Sequence, residues 1–162
     1  MSRHNPPRRQ PEVFHSQDLT ESCGTVLVDH VTRSICLLHD RYTHQTVLPK
    51  GRRDTFESRQ DAAVRETREE TGYACQLATI DMLTRTTAPG GGTHAPHRPR
   101  AMRGAGEPIS MIMIPHGGGQ AKLVWYFLAE TTREYYGRGP GDKDYYGPCQ
   151  EVGAGEARYE VR

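Results

Sequence analysis

The stretch RETREETGY (65–73) sets three glutamates and two arginines in six consecutive positions and then a Thr-Gly pair. At 100° per residue, Glu66, Glu69 and Glu70 fall within an arc of roughly 100° on one helix face. Like charges three and four residues apart destabilise an isolated helix, and the macrodipole disfavours anions near its C-terminal end. A hard divalent cation such as Mg²⁺ or Mn²⁺ reverses the sign of that argument, because clustered carboxylates are the donors it takes. For an E-x-x-E-E pattern taken alone, the competing reading is a solvated acidic face neutralised by Arg65, Arg68 and passing lysines.

Working outward, Ser58 with Asp61 three residues on forms a capping-box pattern, and Gly72 stands where a C-terminal cap belongs. Gln60, Ala63, Val64, Thr67 and Thr71 make a weakly apolar face expected to pack on a sheet, with Asp61, Arg65 and Arg68 on the remaining side. Upstream, CGTVLVD (23–29) and SICLLHD (34–40) read as a hairpin, and TVLPKG (46–51) as a short strand stopped by Pro49 and Gly51. Downstream, CQLATIDMLTR (75–85) resumes strand character. ISMIMIP (109–115) and AKLVWYFLAE (121–130) are the clearest strands, joined through HGGGQ. Residues 86–107 and 131–155 read as long Gly-rich loops, and ARYEVR (157–162) as a last strand. Several short strands with one early helix predict an α+β domain with a mixed sheet over 22–162, preceded by a flexible tail at 1–21.

With 162 residues, 17 glycines, 11 prolines and 35% hydrophobic residues, the chain suits one domain with a modest core. The net charge of +1 identifies no partner. Cysteines 23, 36, 75 and 149 have neither C-x-x-C nor zinc spacing and are expected to be reduced thiols. No apolar run is long enough to span a membrane, and MSRHNPPRRQPE lacks the apolar core of a signal peptide. The expected compartment is the cytoplasm, with the nucleus or a mature secreted form left open. HGGG (116–119) has no G-x-S-x-G partner, so an esterase reading fails and a turn is expected.

Gly51, Glu57, Arg65, Glu66, Glu69, Glu70 and Gly72 together spell G-x5-E-x7-R-E-x-x-E-E-x-G, with Tyr73 as the apolar residue that follows. This resembles the signature of the Nudix hydrolases. The departure is Thr67, where the family places an aliphatic residue. The resemblance covers the motif strictly and about residues 22–130 loosely. It implies a mixed sheet between helices, a catalytic loop-helix-loop at 51–73, and usually a closing C-terminal helix; with the chain ending at ARYEVR, that helix is expected either to be supplied earlier or to be lost by truncation. Carried over by position, Glu66 and Glu70 would be the principal Mg²⁺ or Mn²⁺ ligands, with Glu69 a third ligand or the base. The Gly51 carbonyl would join them, and Arg65 would pair with Glu57. The implied chemistry is attack of water on phosphorus in a diphosphate linkage.

Lys50, Arg52 and Arg53 flank Gly51 and suit a small molecule carrying several phosphates. His94, His97, Arg98, Arg100 and Arg103 add charge in a loop expected to be a solvated insertion. The LPKG start looks like that of family members acting on diphosphoinositol polyphosphates or dinucleoside polyphosphates of the Ap4A type. Basic charge with few aromatics favours the inositol compounds. Nucleic acid is expected only as a capped RNA, which would want an aromatic clamp. A non-enzymatic alternative is a degenerate module that senses phosphorylated ligands, which would be expected to have lost metal-binding carboxylates. Oligomeric state is left open.

Overall fold

A computed structural model describes residues 12–40, 44–87, 98–135 and 150–153. The β-branched run after position 24 lies in β1 (Leu19–Asp29), which turns back into β2 (Ser34–His39) as an antiparallel hairpin. β3 (Thr46–Val47) pairs with β2, and β4 (Lys50–Arg52) pairs antiparallel with β1, opposing Ser22 to Arg52 and Gly24 to Lys50. Helix α1 (Arg59–Thr71) follows, then β5 (Tyr73–Leu77) and β6 (Ile80–Thr84). The remaining strands are β7 (Arg100–Ala105), β8 (Ser110–His116), β9 (Gln120–Tyr135) and β10 (Gln150–Gly153).

The main sheet runs β10-β2-β1-β9-β5, with β8 also on β9, and is mixed because β1 and β9 are parallel while the other pairs are antiparallel. Mixed sheet and single helix agree with the α+β class. Among the described residues α1 is the one helix, so none of them supplies a second helical layer.

Several expected boundaries move. The run 75–85 is two strands: β5 joins the main sheet, whereas β6 pairs with β7 in a separate two-stranded sheet. β7 lies inside the expected loop 86–107. β9 runs five residues beyond the expected strand, to Tyr135, and β10 lies inside the expected loop 131–155. β1 begins at Leu19, inside the expected tail. His94, His97, Cys149, residues 1–11 and the expected strand at 157–162 fall outside the described residues. The HGGGQ connection between β8 and β9 is a turn, as expected.

The core lies between α1 and the sheet. Cys23, Ala62, Ala63 and Phe127 are buried together, with Leu77 and Trp125 against them. The buried helix residues are Ala62, Ala63, Thr67 and Thr71; Gln60, expected on that face, is exposed, and Ala62 takes its place. Alanines let the helix approach the strands closely. The irregular Thr67 is accommodated by a polar partner: its hydroxyl lies 2.8 Å from that of Thr25, both fully buried. That pairing satisfies two groups that would each cost stability if left alone. Cys23 and Cys75 are free thiols, each pushed up to about 11 chiefly by burial. Cys36 is disulfide-bonded, against the expectation of four reduced cysteines. Among the described residues, no helix is long and apolar enough to cross a membrane.

Candidate functional site

α1 starts where Ser58 takes an extended conformation and its hydroxyl accepts from the Asp61 N–H at 3.0 Å. It ends at Gly72, whose left-handed backbone (φ 80°) lets its N–H reach the Arg68 carbonyl at 2.8 Å. Between these caps the three glutamates of the motif are carried toward β4.

Arg65 organises the loop ahead of the helix. Its Nε and Nη2 donate to the two oxygens of Glu57 at 2.8 and 2.9 Å, a bidentate pair. Nη1 reaches Glu66 Oε1 at 2.8 Å and Glu69 Oε2 at 3.1 Å, while Nη2 also donates to the Arg52 carbonyl at 3.0 Å. The hydrogen bonds from Arg65 hold the Glu57 carboxyl below its ordinary range, and Glu57 in turn raises the Arg65 guanidinium. Glu66 moves the other way: burial pushes its carboxyl up and outweighs the neighbouring Arg65.

Two contacts tie the glutamates to β4. A side chain at Gly51 would fall on the Glu66 carboxylate, so only glycine leaves room for it there. Glu70 Oε2 accepts the Lys50 N–H at 2.7 Å. Glu66 and Glu70 therefore bracket the Lys50–Gly51 backbone. Glu69 is half-exposed and held by Arg65. Each carboxylate has a protein partner, and among the described residues no three acidic, His or Cys side chains already converge into a metal-holding group. The donor chemistry nevertheless fits a hard cation. Three carboxylates and a main-chain carbonyl are all oxygen donors, and a carboxylate with its pKa raised by burial gains from a nearby positive ion.

The three basic residues beside Gly51 separate. Arg53 turns to the scaffold: its Nε donates to Glu21 Oε2 at 2.9 Å and its Nη1 to the Glu57 carbonyl at 2.8 Å. Lys50 and Arg52 form no ion pair among the described residues. In the segment after 97, Arg100 donates to the Thr86 carbonyl at 2.8 Å, and Arg98 and Arg103 are exposed.

Glu21 was not singled out by the sequence reading. Its carboxylate receives Arg53, the Arg59 Nη2 at 2.6 Å and the Trp125 indole N–H at 3.1 Å. Burial pushes this carboxyl up, but the hydrogen bonds from Arg59 and Trp125 overcome it and the net shift is downward. The Arg59 guanidinium also lies 4.4 Å from the Trp125 ring centroid. No local signal marks Glu21, since its partners lie far along the chain and meet it only through the pairing of β1 with β4 and β9.

The family model for the NUDIX domain matches residues 19–108, more than half of the chain. Among curated proteins, none matches the sequence closely enough to count as a relative. A Nudix hydrolase from Nitrosomonas europaea superposes with a TM-score of 0.51 at 14% identity, over 85% of this chain and 74% of that one. A Nudix-family hydrolase from Clostridium perfringens gives 0.51 at 15%, over 78% and 79%. A MutT Nudix hydrolase from Burkholderia pseudomallei gives 0.51 at 18%, over 80% and 79%. At such identities these likenesses speak for the fold. The family match takes in the whole of the glutamate helix and the loop that Arg65 binds to it, and the chain belongs to the Nudix family of diphosphate hydrolases.

Proposed function

We propose that this enzyme cleaves a diphosphate linkage in a highly anionic small molecule, with Mg²⁺ or Mn²⁺ as cofactor and a diphosphoinositol polyphosphate as the substrate class. The observation that carries the reading is the pairing pattern at the site. The Glu66 and Glu70 carboxylates bracket Gly51, while Lys50 and Arg52 beside them lack any ion-pair partner among the described residues.

Glu66 and Glu70, with Glu69 and the Gly51 carbonyl, would hold the ion, which when bound offsets negative charge on the phosphate oxygens. Arg65 occupies Oε2 of Glu69, so Oε1 is the oxygen that takes the proton of the attacking water. The new bond joins water oxygen to phosphorus, and the bridging P–O bond breaks with its electrons going to the departing phosphate. Arg65 and Glu57 keep the loop against the helix during this step. Lys50 and Arg52 bind phosphates that do not react.

The inositol class is supported by how the aromatic run is used. Tyr126 and Phe127 are 8% and 2% exposed, and the Trp125 indole is committed to Glu21 and Arg59. A dinucleoside polyphosphate or capped RNA is the second reading, favoured by one observation: Phe56, on the loop before α1, is 100% exposed and could stack a base. The presence of all three glutamates weighs against a non-catalytic sensing module.

The test is phosphate release with Mg²⁺ and with EDTA on a panel. It comprises a diphosphoinositol polyphosphate, a diadenosine polyphosphate, capped RNA, ADP-ribose and a nucleoside triphosphate. Metal-dependent preference for the inositol compound is expected. Preference for a base-containing compound moves the reading to the second class, and no turnover by folded protein refutes the hydrolase.

A further inference from the structure

Lys122 lies near the start of β9, opposite Thr20 of β1 and Ile114 of β8. Directly opposed residues of neighbouring strands project to the same face of a sheet, and alternate residues along a strand share that face. Thr20, Ser22 and Gly24 therefore share a face with Lys122. Ser22 and Gly24 in turn stand opposite Arg52 and Lys50. Phe127 and Cys23, which pack on α1, have the other parity in their strands.

The sheet thus turns three cations to the side away from α1. They come from strands that touch only through β1, where Lys122 stands opposite Thr20, Arg52 opposite Ser22 and Lys50 opposite Gly24. The proximity is electrostatically felt. Burial lowers the Lys122 ammonium, Lys50 and Arg52 lower it further, and Glu70 opposes them.

Lys122 is half-buried, and the strand that carries it is paired on both edges, which fixes its backbone. None of the three cations forms an ion pair among the described residues. A cleft of about 380 Å³ lined by Ser16, Leu19, Thr20, Glu21, Arg52 and Arg53 takes in one of the three cations, Arg52, while Lys50 and Lys122 are not in its lining. The Arg52 carbonyl is held by Arg65, so this residue adjoins the glutamate helix. Like charges fixed together are unfavourable in the empty protein and are relieved by an anion of matching extent.

We propose that Lys122 completes, with Lys50 and Arg52, a phosphate-holding face that takes the non-reacting phosphates of the substrate and sets the preference for compounds with several of them. The inference deepens the hydrolase reading and rests on it for the word substrate. The binding of polyphosphate by these three residues stands on their placement alone.

The experiment is titration calorimetry in EDTA with inorganic tripolyphosphate and with orthophosphate, on the wild type, Lys122→Met, Lys122→Gln and Lys122→Arg. Loss of one charge-assisted contact predicts roughly tenfold weaker tripolyphosphate binding in the Met and Gln variants. Lys122→Arg should stay within about threefold of wild type. With Mg²⁺ present, Lys122→Gln should raise KM most for the most phosphorylated member of the panel and leave kcat near its original value. Wild-type tripolyphosphate affinity in a folded Met or Gln variant overturns the inference, even if hydrolysis proceeds. Conversely, a wild type that binds tripolyphosphate through Lys122 yet hydrolyses nothing on the panel refutes the hydrolase reading and upholds this one.

Discussion

On the α1 side of the central sheet, Arg53, Arg59 and Arg65 are all engaged. Arg53 and Arg59 share Glu21, and Arg65 joins Glu57, Glu66 and Glu69. On the opposite side, Lys50, Arg52 and Lys122 stand together without an ion pair among the described residues. Arg59 and Arg65 stand on α1, whereas β4 ends at Arg52 and the chain supplies one cation to each group through adjacent residues, Arg52 and Arg53. At that pair, alternation of side chains along the chain separates a cation that holds the loop from one left for an anionic ligand. Charge count alone does not distinguish them.

The strongest way to test that division is to remove carboxylates of the helix that adjoins both groups. Glu69→Gln is expected to cut turnover on the order of 10²–10⁴-fold, the range for loss of a catalytic proton acceptor, and Glu70→Gln, as loss of a metal-holding carboxylate, by orders of magnitude as well. The melting temperature should stay close to that of the wild type, because an amide oxygen at position 70 can still accept the Lys50 N–H. A large fall in melting temperature would show that these glutamates belong to the scaffold instead.

Arg65→Met should have the largest effect on stability. It leaves Glu57 and Glu66, whose side chains are only 16% and 13% exposed, without their shared cation. Breaking a fully buried pair costs about 3–5 kcal/mol, and partial exposure should bring this case to roughly 2–3 kcal/mol in urea unfolding. Lys50→Met and Arg52→Met should stay within about 0.5 kcal/mol of wild type, as surface changes do. Equal losses on the two sides would erase the comparison.

The next effect depends on pH. The Glu21 carboxyl sits below its ordinary value of 4.5 in the folded protein. Its stabilisation is thus complete above the unfolded carboxylate range and is lost as pH falls through the lower folded value. Glu21→Gln should cost about 1 kcal/mol at neutral pH and flatten the fall in the urea midpoint between about pH 5 and 3. An unchanged slope would mean that Arg53 and Arg59 are held by other contacts. Smallest of all, Phe56→Gly should raise the melting temperature slightly, since Phe56 has φ 65° while fully exposed. If it also abolishes activity on base-containing substrates alone, the strained aromatic has a binding role.

Much of this division can be read along the chain, and the unread parts share a cause. The helix between Ser58 and Gly72, the β1–β2 hairpin and the β8–β9 turn all follow from signals within a few residues of one another. The pairing of Glu57 with Arg65 needs only the spacing of one motif. Glu21 and Lys122 carry no such signal. Glu21 meets Arg53 because β1 pairs with β4 and meets Arg59 because α1 packs on β1, and Lys122 comes to share a face with Lys50 because β9 and β4 both pair with β1. The split of 75–85 also depends on distant partners, with β5 claimed by β9 and β6 by β7. Thr67 looks ill-suited to a buried helix face until Thr25, on β1, is opposed to it.

The parallel ladder between β1 and β9 has a consequence for how the molecule is made. Leu19 registers with Ala121, so the first strand waits for a partner emerging about a hundred residues later. At ribosomal rates of about 5–20 residues per second, that interval lasts roughly 5–20 s. During it β1 can pair with β2 and β4 along one edge only. The glutamate helix can form early, but the face carrying Lys122 exists only after the late closure of β9. Non-local pairing of this kind slows folding, so the nascent chain has an open strand edge for seconds, and its synthesis is the stage at which the fold most needs protection from association.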